Sequence, residues 1–105
     1  MAYQTQLVLE NAGIHAGEGD SLITVWAPMS NQQLFLTSDH VGLVDLKSNG
    51  IISIALTDIT RIRASNGDLA VYVGGTGASL VASSHDFDHV LLNEFIATLR
   101  NRRSA

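Results

Sequence analysis

Near the end of the chain, hydrophobic residues recur at the three- and four-residue spacing that is typical of an amphipathic helix. The apolar positions are Phe87, Leu91, Leu92, Phe95, Ile96 and Leu99. The opposite positions are polar or small: His89, Asn93, Ala97 and Arg100. This pattern predicts a helix over residues 86–100 with one broad buried face, and Ser84 or Asp86 as its N-terminal cap.

The chain from residue 21 to residue 83 is instead typical of short β-strands, because runs rich in β-branched and aromatic residues are separated by turn residues. Seven strands are predicted, over residues 21–27, 33–37, 41–47, 51–56, 59–65, 69–73 and 78–83. Hairpin turns are predicted at Asn49-Gly50, Asn66-Gly67 and Gly74-Gly75. A lone amphipathic helix after such strands can bury its face only against the sheet.

The predicted fold class is therefore mainly β with α, a seven-stranded antiparallel sandwich or partly open barrel capped by the C-terminal helix. At 105 residues the chain forms one domain. We assign residues 1–16 to an N-terminal extension, 17–83 to the strands and 86–100 to the capping helix. Residues 3–13 fit either a strand or a short helix ended by Gly13, and we favour the short helix. The sequence leaves open whether they pack on their own domain or on a neighbour's.

The composition is apolar for so small a domain, with 46% hydrophobic and 15% charged residues. Either the core is unusually well filled or another subunit covers apolar surface, so we expect a homo-oligomer or a protein partner. The net charge of −4 argues against nucleic-acid binding, and the absence of cysteine excludes disulfides and thiolate chemistry. The N-terminus has no signal-peptide features and no apolar run could span a bilayer, so we expect a soluble cytoplasmic protein.

Two stretches of the sequence carry a resemblance to a known family. They are residues 33–44 (QLFLTSDHVGLV) and 52–62 (ISIALTDITRI), preceded by residues 17–22 (GEGDSL). Together they resemble the bacterial PH-like and GRAM-type pattern across residues 17–99. The resemblance implies the pleckstrin-homology superfold, and it leaves the function open.

Lipid-binding PH domains hold phosphoinositide headgroups with basic residues in and around the loop between their first two strands. Here the corresponding loop, residues 28–33 (PMSNQQ), contains no lysine or arginine. Because phosphate recognition depends on charge-assisted donors, we do not expect phosphoinositide binding.

Basic residues elsewhere are candidates for ligand binding, namely Lys47, Arg61 and Arg63. Arg61 and Arg63 share one face of a predicted strand and could bind a carboxylate or a phosphate. Such a pair more often lies on a solvated strand face, here paired with Asp45 or Asp58.

Trp26, just before Pro28, fits either packing in the core or at a sheet edge, or an interface anchor, because tryptophan is enriched at interface hot spots. Arg100, Arg102 and Arg103 fit a solubilising chain end. Neither feature by itself indicates a ligand.

No motif indicates an enzyme. His85, Asp86, Asp88 and His89 resemble part of a metal site, but a further ligand is lacking, and helix capping with solvated histidines explains the cluster better. The glycines of residues 74–77 lack the lysine of a phosphate loop and precede a strand. We therefore predict no catalytic residue, no metal and no cofactor.

The sequence favours a non-catalytic interaction or assembly module that contacts itself or another protein through a sheet edge or the helix flank. The alternative is a sensor of a small anionic ligand or a membrane surface that uses Lys47, Arg61 and Arg63. An enzyme based on His85 and His89 is the weakest hypothesis.

Overall fold

A computed structural model describes residues 23–27, 30–48, 50–75 and 77–104. These residues form β1 (Ile23–Ala27), β2 (Gln32–Leu36), β3 (His40–Asp45), β4 (Gly50–Ala55), β5 (Arg61–Ser65), β6 (Asp68–Tyr72), β7 (Leu80–Ala82) and α1 (His89–Ser104). A short 3-10 helix, Leu56–Asp58, joins β4 to β5. The predictions for residues 1–16, including the helix over 3–13, lie outside the described residues.

The strands form two antiparallel sheets. Strands β1 to β4 make a four-stranded sheet in chain order, and β5 to β7 make a three-stranded sheet. Within the described residues no strand pair joins the two sheets into a closed barrel. The prediction of a mainly β fold with seven antiparallel strands and a C-terminal helix is therefore confirmed.

The main hydrophobic core brings residues of both sheets and of α1 into one cluster. Since alternate residues of a strand point to the same face, each sheet supplies one set of alternate side chains. The strand members include Val25, Leu34, Leu36, Val41, Ile54, Leu69, Val71 and Leu80. The members from α1 and the turn before it are Phe87, Leu92, Phe95, Ile96 and Leu99. The amphipathic helix thus covers the strands, as its periodicity predicts.

The helix begins at His89 rather than at residue 86. Asp88 is its N-cap, because its Oδ1 accepts the backbone N–H groups of the second and third helical residues, both at 3.0 Å. The preceding residues form a turn in which the Ser83 carbonyl accepts two backbone N–H groups. The prediction that Ser84 or Asp86 caps the helix is therefore wrong.

The prediction of which residues form the buried face of α1 is wrong at one position. Leu91 remains 49% exposed, because it lies in the first turn of the helix, where the helix flank borders β1 and leaves a groove. At the other end α1 continues to Ser104, past the predicted end at residue 100. No helix of the described residues is long and apolar enough to cross a membrane.

The turn between β5 and β6 is the predicted two-residue hairpin. Asn66 and Gly67 have φ of 56° and 83°, and the strands pair on either side of them. Positive φ at both positions matches the right-handed strand twist and favours Asn-Gly. In the β6–β7 loop, Gly74 and Gly75 also have positive φ, of 82° and 75°.

The connection between β3 and β4 differs from the prediction. Asp45 pairs with Gly50, so residues 46–49 make the connection, and Gly50 opens β4 instead of lying in a two-residue turn. Asn49 itself lies outside the described residues. The third strand ends early because the Asp45 carboxylate accepts the backbone N–H of Lys47 at 3.0 Å, which starts a turn. Lys47 therefore lies beyond the strand.

A second, smaller cluster lies on the outer face of the four-stranded sheet. We call it the outer cluster, and it consists of Phe35, Val44, Leu46, Trp26 and Ile51. Phe35 lies beside Gly42 in the pairing of β2 with β3. Because Gly42 has no side chain, the Phe35 ring lies over its Cα, where a Cβ atom would overlap both that ring and the Ile52 carbonyl oxygen.

We expect Gly42→Ala to lower the free energy of unfolding by about 3 kcal/mol, because the added methyl group forces the Phe35 ring or β4 to move. Chemical denaturation measures the effect. The matched control is Gly77→Ala, where a Cβ meets nothing within 4 Å, and where we expect a change of at most about 0.5 kcal/mol. Equal effects of the two substitutions would contradict the close packing of Phe35 on Gly42.

Candidate functional site

The three basic residues predicted to bind a ligand lie in two separate parts of the fold. Lys47 lies in the exposed turn after β3, whereas Arg61 and Arg63 are exposed on β5. The Arg61 guanidinium lies over the Tyr72 ring, 4.4 Å from its centroid, on the neighbouring strand. Such stacking is a favourable cation–π contact. None of the three basic residues lines the cleft at the C-terminal end of α1 or the groove between β1 and α1.

The predicted ion pairs of these arginines are not formed. Within residues 23–27, 30–48, 50–75 and 77–104, neither Arg61 nor Arg63 forms an ion pair with Asp45 or Asp58. The Asp45 carboxylate instead accepts a backbone N–H in the turn after β3. Exposed ion pairs contribute little, so their absence costs the fold little.

Trp26 is half-buried in the outer cluster, on the sheet face opposite the main core. This agrees with its interpretation as a packing residue, and its role as an interface anchor stays a prediction. The backbone N–H of His85 donates to Ser83 Oγ, and the His89 ring contacts Asn93 at 3.3 Å and lies beside Gly67 of the β5–β6 turn. The described residues contain no group of three or more side chains that could hold a metal ion.

A cleft of about 480 Å³ lies at the C-terminal end of α1, between the β2–β3 turn and the 3-10 helix. Its walls are formed by residues 38–40, 55–57, 102 and 103. It is the place where the described chain brings arginine, histidine and aspartate side chains together.

Thr37 organises the β2–β3 turn from a fully buried position. Its backbone N–H donates to the His40 carbonyl at 2.8 Å, and its Oγ1 accepts the backbone N–H groups of His40 at 2.9 Å and Asp39 at 3.3 Å. The hydroxyl also lies 3.1 Å from the Asp39 carboxylate, to which it can donate. Thr37 therefore caps this turn through its side chain.

Two arginines attach the end of α1 to this turn and to the 3-10 helix. Arg102 donates to the Thr37 carbonyl at 2.9 Å, and Arg103 donates to the Ile59 carbonyl at 3.2 Å. Their interpretation as part of a solubilising chain end is therefore wrong. A usable signal was present, because basic residues are favoured near the C-terminus of a helix, where the dipole is negative.

Asp39 and His40 form the charged rim of the cleft. The Asp39 carboxylate lies 2.9 Å from His40 Nδ1. This hydrogen bond, with a smaller contribution from Thr37, holds the pKa of Asp39 below its usual value.

The cleft joins parts of the fold and is poorly suited to binding an anion. Arg102 and Arg103 each bind a backbone carbonyl, and Asp39 adds a negative charge. The C-terminal end of α1 adds the negative end of a helix dipole. The cleft also lacks a nucleophile activated by a neighbouring base.

A narrower groove of about 220 Å³ runs along β1 and α1. Ile23, Thr24 and Val25 form one side, and Leu91 and Phe95 contribute apolar surface on the other. The helix side also carries the polar residues Glu94 and Thr98, and the Thr98 hydroxyl donates to the Glu94 carbonyl at 3.0 Å. The groove therefore combines apolar and polar surface, and its sheet side is a strand that pairs only with β2 among the described strands.

No protein-family model matches this chain, and no curated protein matches it. The resemblance to PH-like and GRAM-type domains therefore stays a prediction. A function for this chain therefore has to be argued from its own surfaces and clefts.

We expect Thr37→Val to lower the free energy of unfolding by about 1–3 kcal/mol, because it leaves two partly buried backbone N–H groups of the β2–β3 turn without their acceptor. Thermal or chemical denaturation measures the loss. Thr57→Val is the control at an exposed position of the same cleft, with an expected change within about 0.5 kcal/mol. If Thr37→Val left the free energy of unfolding unchanged, the hydroxyl would not stabilise the turn.

We also expect the stability difference between wild type and Asp39→Asn to depend on pH. Because folding lowers the pKa of Asp39 below 3.8, its ionised form stabilises the fold above that value. The contribution is lost as the pH falls through the folded-state pKa. Denaturation curves from about pH 5 to about pH 2 should show the two proteins converging. A difference that stays constant over this range would contradict the role of the ionised carboxylate.

Proposed function

We propose that the chain is a non-catalytic interaction module that self-associates through the edge of β1 and the adjoining flank of α1. The observation that carries this proposal is the half-exposed Leu91, which adds apolar surface to a groove next to an edge strand. The sheet edge and the helix flank, the two surfaces that the sequence favours, meet in this groove. An added strand would bind through main-chain hydrogen bonds and place a side chain against Leu91.

The sequence of β1 suits strand addition better than that of most other edges. Natural sheets protect their edges with charged residues, proline or very short strands. The edge strand β5 carries Arg61 and Arg63, and β7 has only three residues. The residues of β1 (ITVWA) are uncharged and strongly β-forming. The edge strand β4 is also uncharged, but the groove beside α1 lies along β1.

A second copy of the chain is the partner that this edge fits directly. Two β1 strands related by a two-fold axis pair antiparallel, so the same surface serves both copies. The four-stranded sheets would then join into one, and each copy would cover the Leu91 side chain of the other. This arrangement also accounts for the apolar composition of the chain.

The finer predictions belong to this proposal: a bacterial PH-like domain, homo-oligomeric and cytoplasmic. Of these, the PH-like assignment is supported by the order of four strands, three strands and a C-terminal helix. The alternative, a sensor of an anionic ligand or a membrane surface, is less favoured because Lys47 lies in the turn after β3, whereas Arg61 and Arg63 lie on β5 of the other sheet.

We expect the wild-type chain to form a dimer in light scattering after size-exclusion chromatography, and Leu91→Glu to weaken it by more than about tenfold. A buried, unpaired carboxylate at the groove is the physical reason. The matched control is Val90→Glu, in the same helical turn, because Val90 is 62% exposed and does not line the groove.

A monomeric wild-type chain would contradict self-association. Equal effects of Leu91→Glu and Val90→Glu would contradict the groove as its location. Ile52→Glu tests the second uncharged edge, since Ile52 is exposed on β4. Dissociation by Ile52→Glu alone would move the interface to that strand.

A further inference from the structure

The outer face of the four-stranded sheet carries apolar side chains across all four strands. By register, Trp26, Gln33, Val44 and Ile51 form one cross-strand row. Phe35 lies in the adjacent row on the same face. Phe35 and Val44 are 0% exposed, as well buried as residues of the main core. An outer sheet face in contact with water would leave such side chains accessible.

The described elements that fill the main core do not contribute to this face. Within residues 23–27, 30–48, 50–75 and 77–104, every member of the outer cluster comes from β1 to β4 or from the turn after β3. The buried residues of α1 and of the three-stranded sheet belong to the main core, on the opposite face. The burial of Phe35 and Val44 therefore favours a further layer over the outer cluster.

We propose that residues 1–22 of the same chain supply this layer and dock on the outer cluster. The segment is joined directly to Ile23, the first residue of β1, so its path to the outer face of that sheet is short. The proposal is independent of the groove between β1 and α1, which lies on another side of the same strand.

The length of the segment fits the face. Four strands spaced by about 4.8 Å place the outermost strands about 14 Å apart. Residues 3–13 would extend about 16 Å as a helix and more than about 30 Å as a strand, so either form crosses the sheet. Residues 14–22 can reach up to about 30 Å, which is enough to return the chain to β1.

The composition of the segment also fits. Residues 3–13 (YQTQLVLENAG) contain three consecutive apolar residues and a single charged residue, Glu10. The outer cluster itself contains no charged residue. If residues 3–13 form a strand, Leu7 lies on the same face as Tyr3 and Leu9. If they form a helix, Leu7 lies one turn after Tyr3 and on the same face. It is therefore the residue whose substitution tests the contact.

The test uses the chain's single tryptophan, because Trp26 belongs to the outer cluster. In full-length Leu7→Glu we expect the Trp26 emission to shift to longer wavelength and acrylamide to quench it more strongly than in wild type. The control Gln6→Glu introduces the same charge at the neighbouring position, and we expect a smaller change. Equal changes in the two variants, or no change in Leu7→Glu, would overturn the proposal.

A second measurement separates docking within one chain from exchange between two copies, and does not depend on Leu7→Glu folding. The chain contains no cysteine, so Gln6→Cys carries a unique spin label. In the first sample, each observed chain carries both the spin label and the isotope enrichment, and it is diluted with unlabelled chains of natural isotope abundance. In this sample we expect the Val44 and Ile51 amide signals to broaden. Absence of broadening there would overturn the proposal. In the second sample, the spin label is on chains of natural isotope abundance and the enriched chains are unlabelled. Broadening in this mixture would identify a second copy as the occupant and would also overturn the proposal.

Discussion

Burial of the α1 face against the two sheets is the interaction on which the rest of the structure depends. Two small antiparallel sheets, not joined into a barrel by described strands, each present an apolar face that needs cover. Leu92, Phe95 and Leu99 enter one cluster with residues of both sheets. Each such side chain contributes about 1.5–3 kcal/mol when buried, which is a large part of the net stability of about 5–15 kcal/mol expected for a domain.

The placement of α1 also shapes the groove at its start and the cleft at its end. At its start, the Asp88 cap fixes the first turn and leaves Leu91 at the groove beside β1. At its end, Arg102 and Arg103 bind carbonyls of the β2–β3 turn and of the residue after the 3-10 helix. The groove at the start of α1 exposes Leu91 beside a strand that pairs only with β2 among the described strands, whereas the basic groups of the cleft at its end are engaged within the fold. This difference is why interaction is better supported than anion recognition.

The sequence predicted the fold class well because helical and strand periodicities are local properties. It did not predict that Leu91 stays exposed, since periodicity defines a helix face and not the extent of the sheet beneath it. The Asn49-Gly50 turn was mispredicted because the pairing of Asp45 with Gly50 depends on sheet register. Arg102 and Arg103 were missed because their acceptors lie far away in the sequence.

Native-state hydrogen exchange tests the shared core most directly. If α1 and both sheets share one core, the amides of Leu92 and Phe95 should open with the same free energy as those of Leu34 and Val71, equal to that of global unfolding. Exchange of the α1 amides at a clearly lower free energy, while the strand amides stay protected, would show that the sheets persist without the helix. That result would contradict the dependence of both sheets on α1.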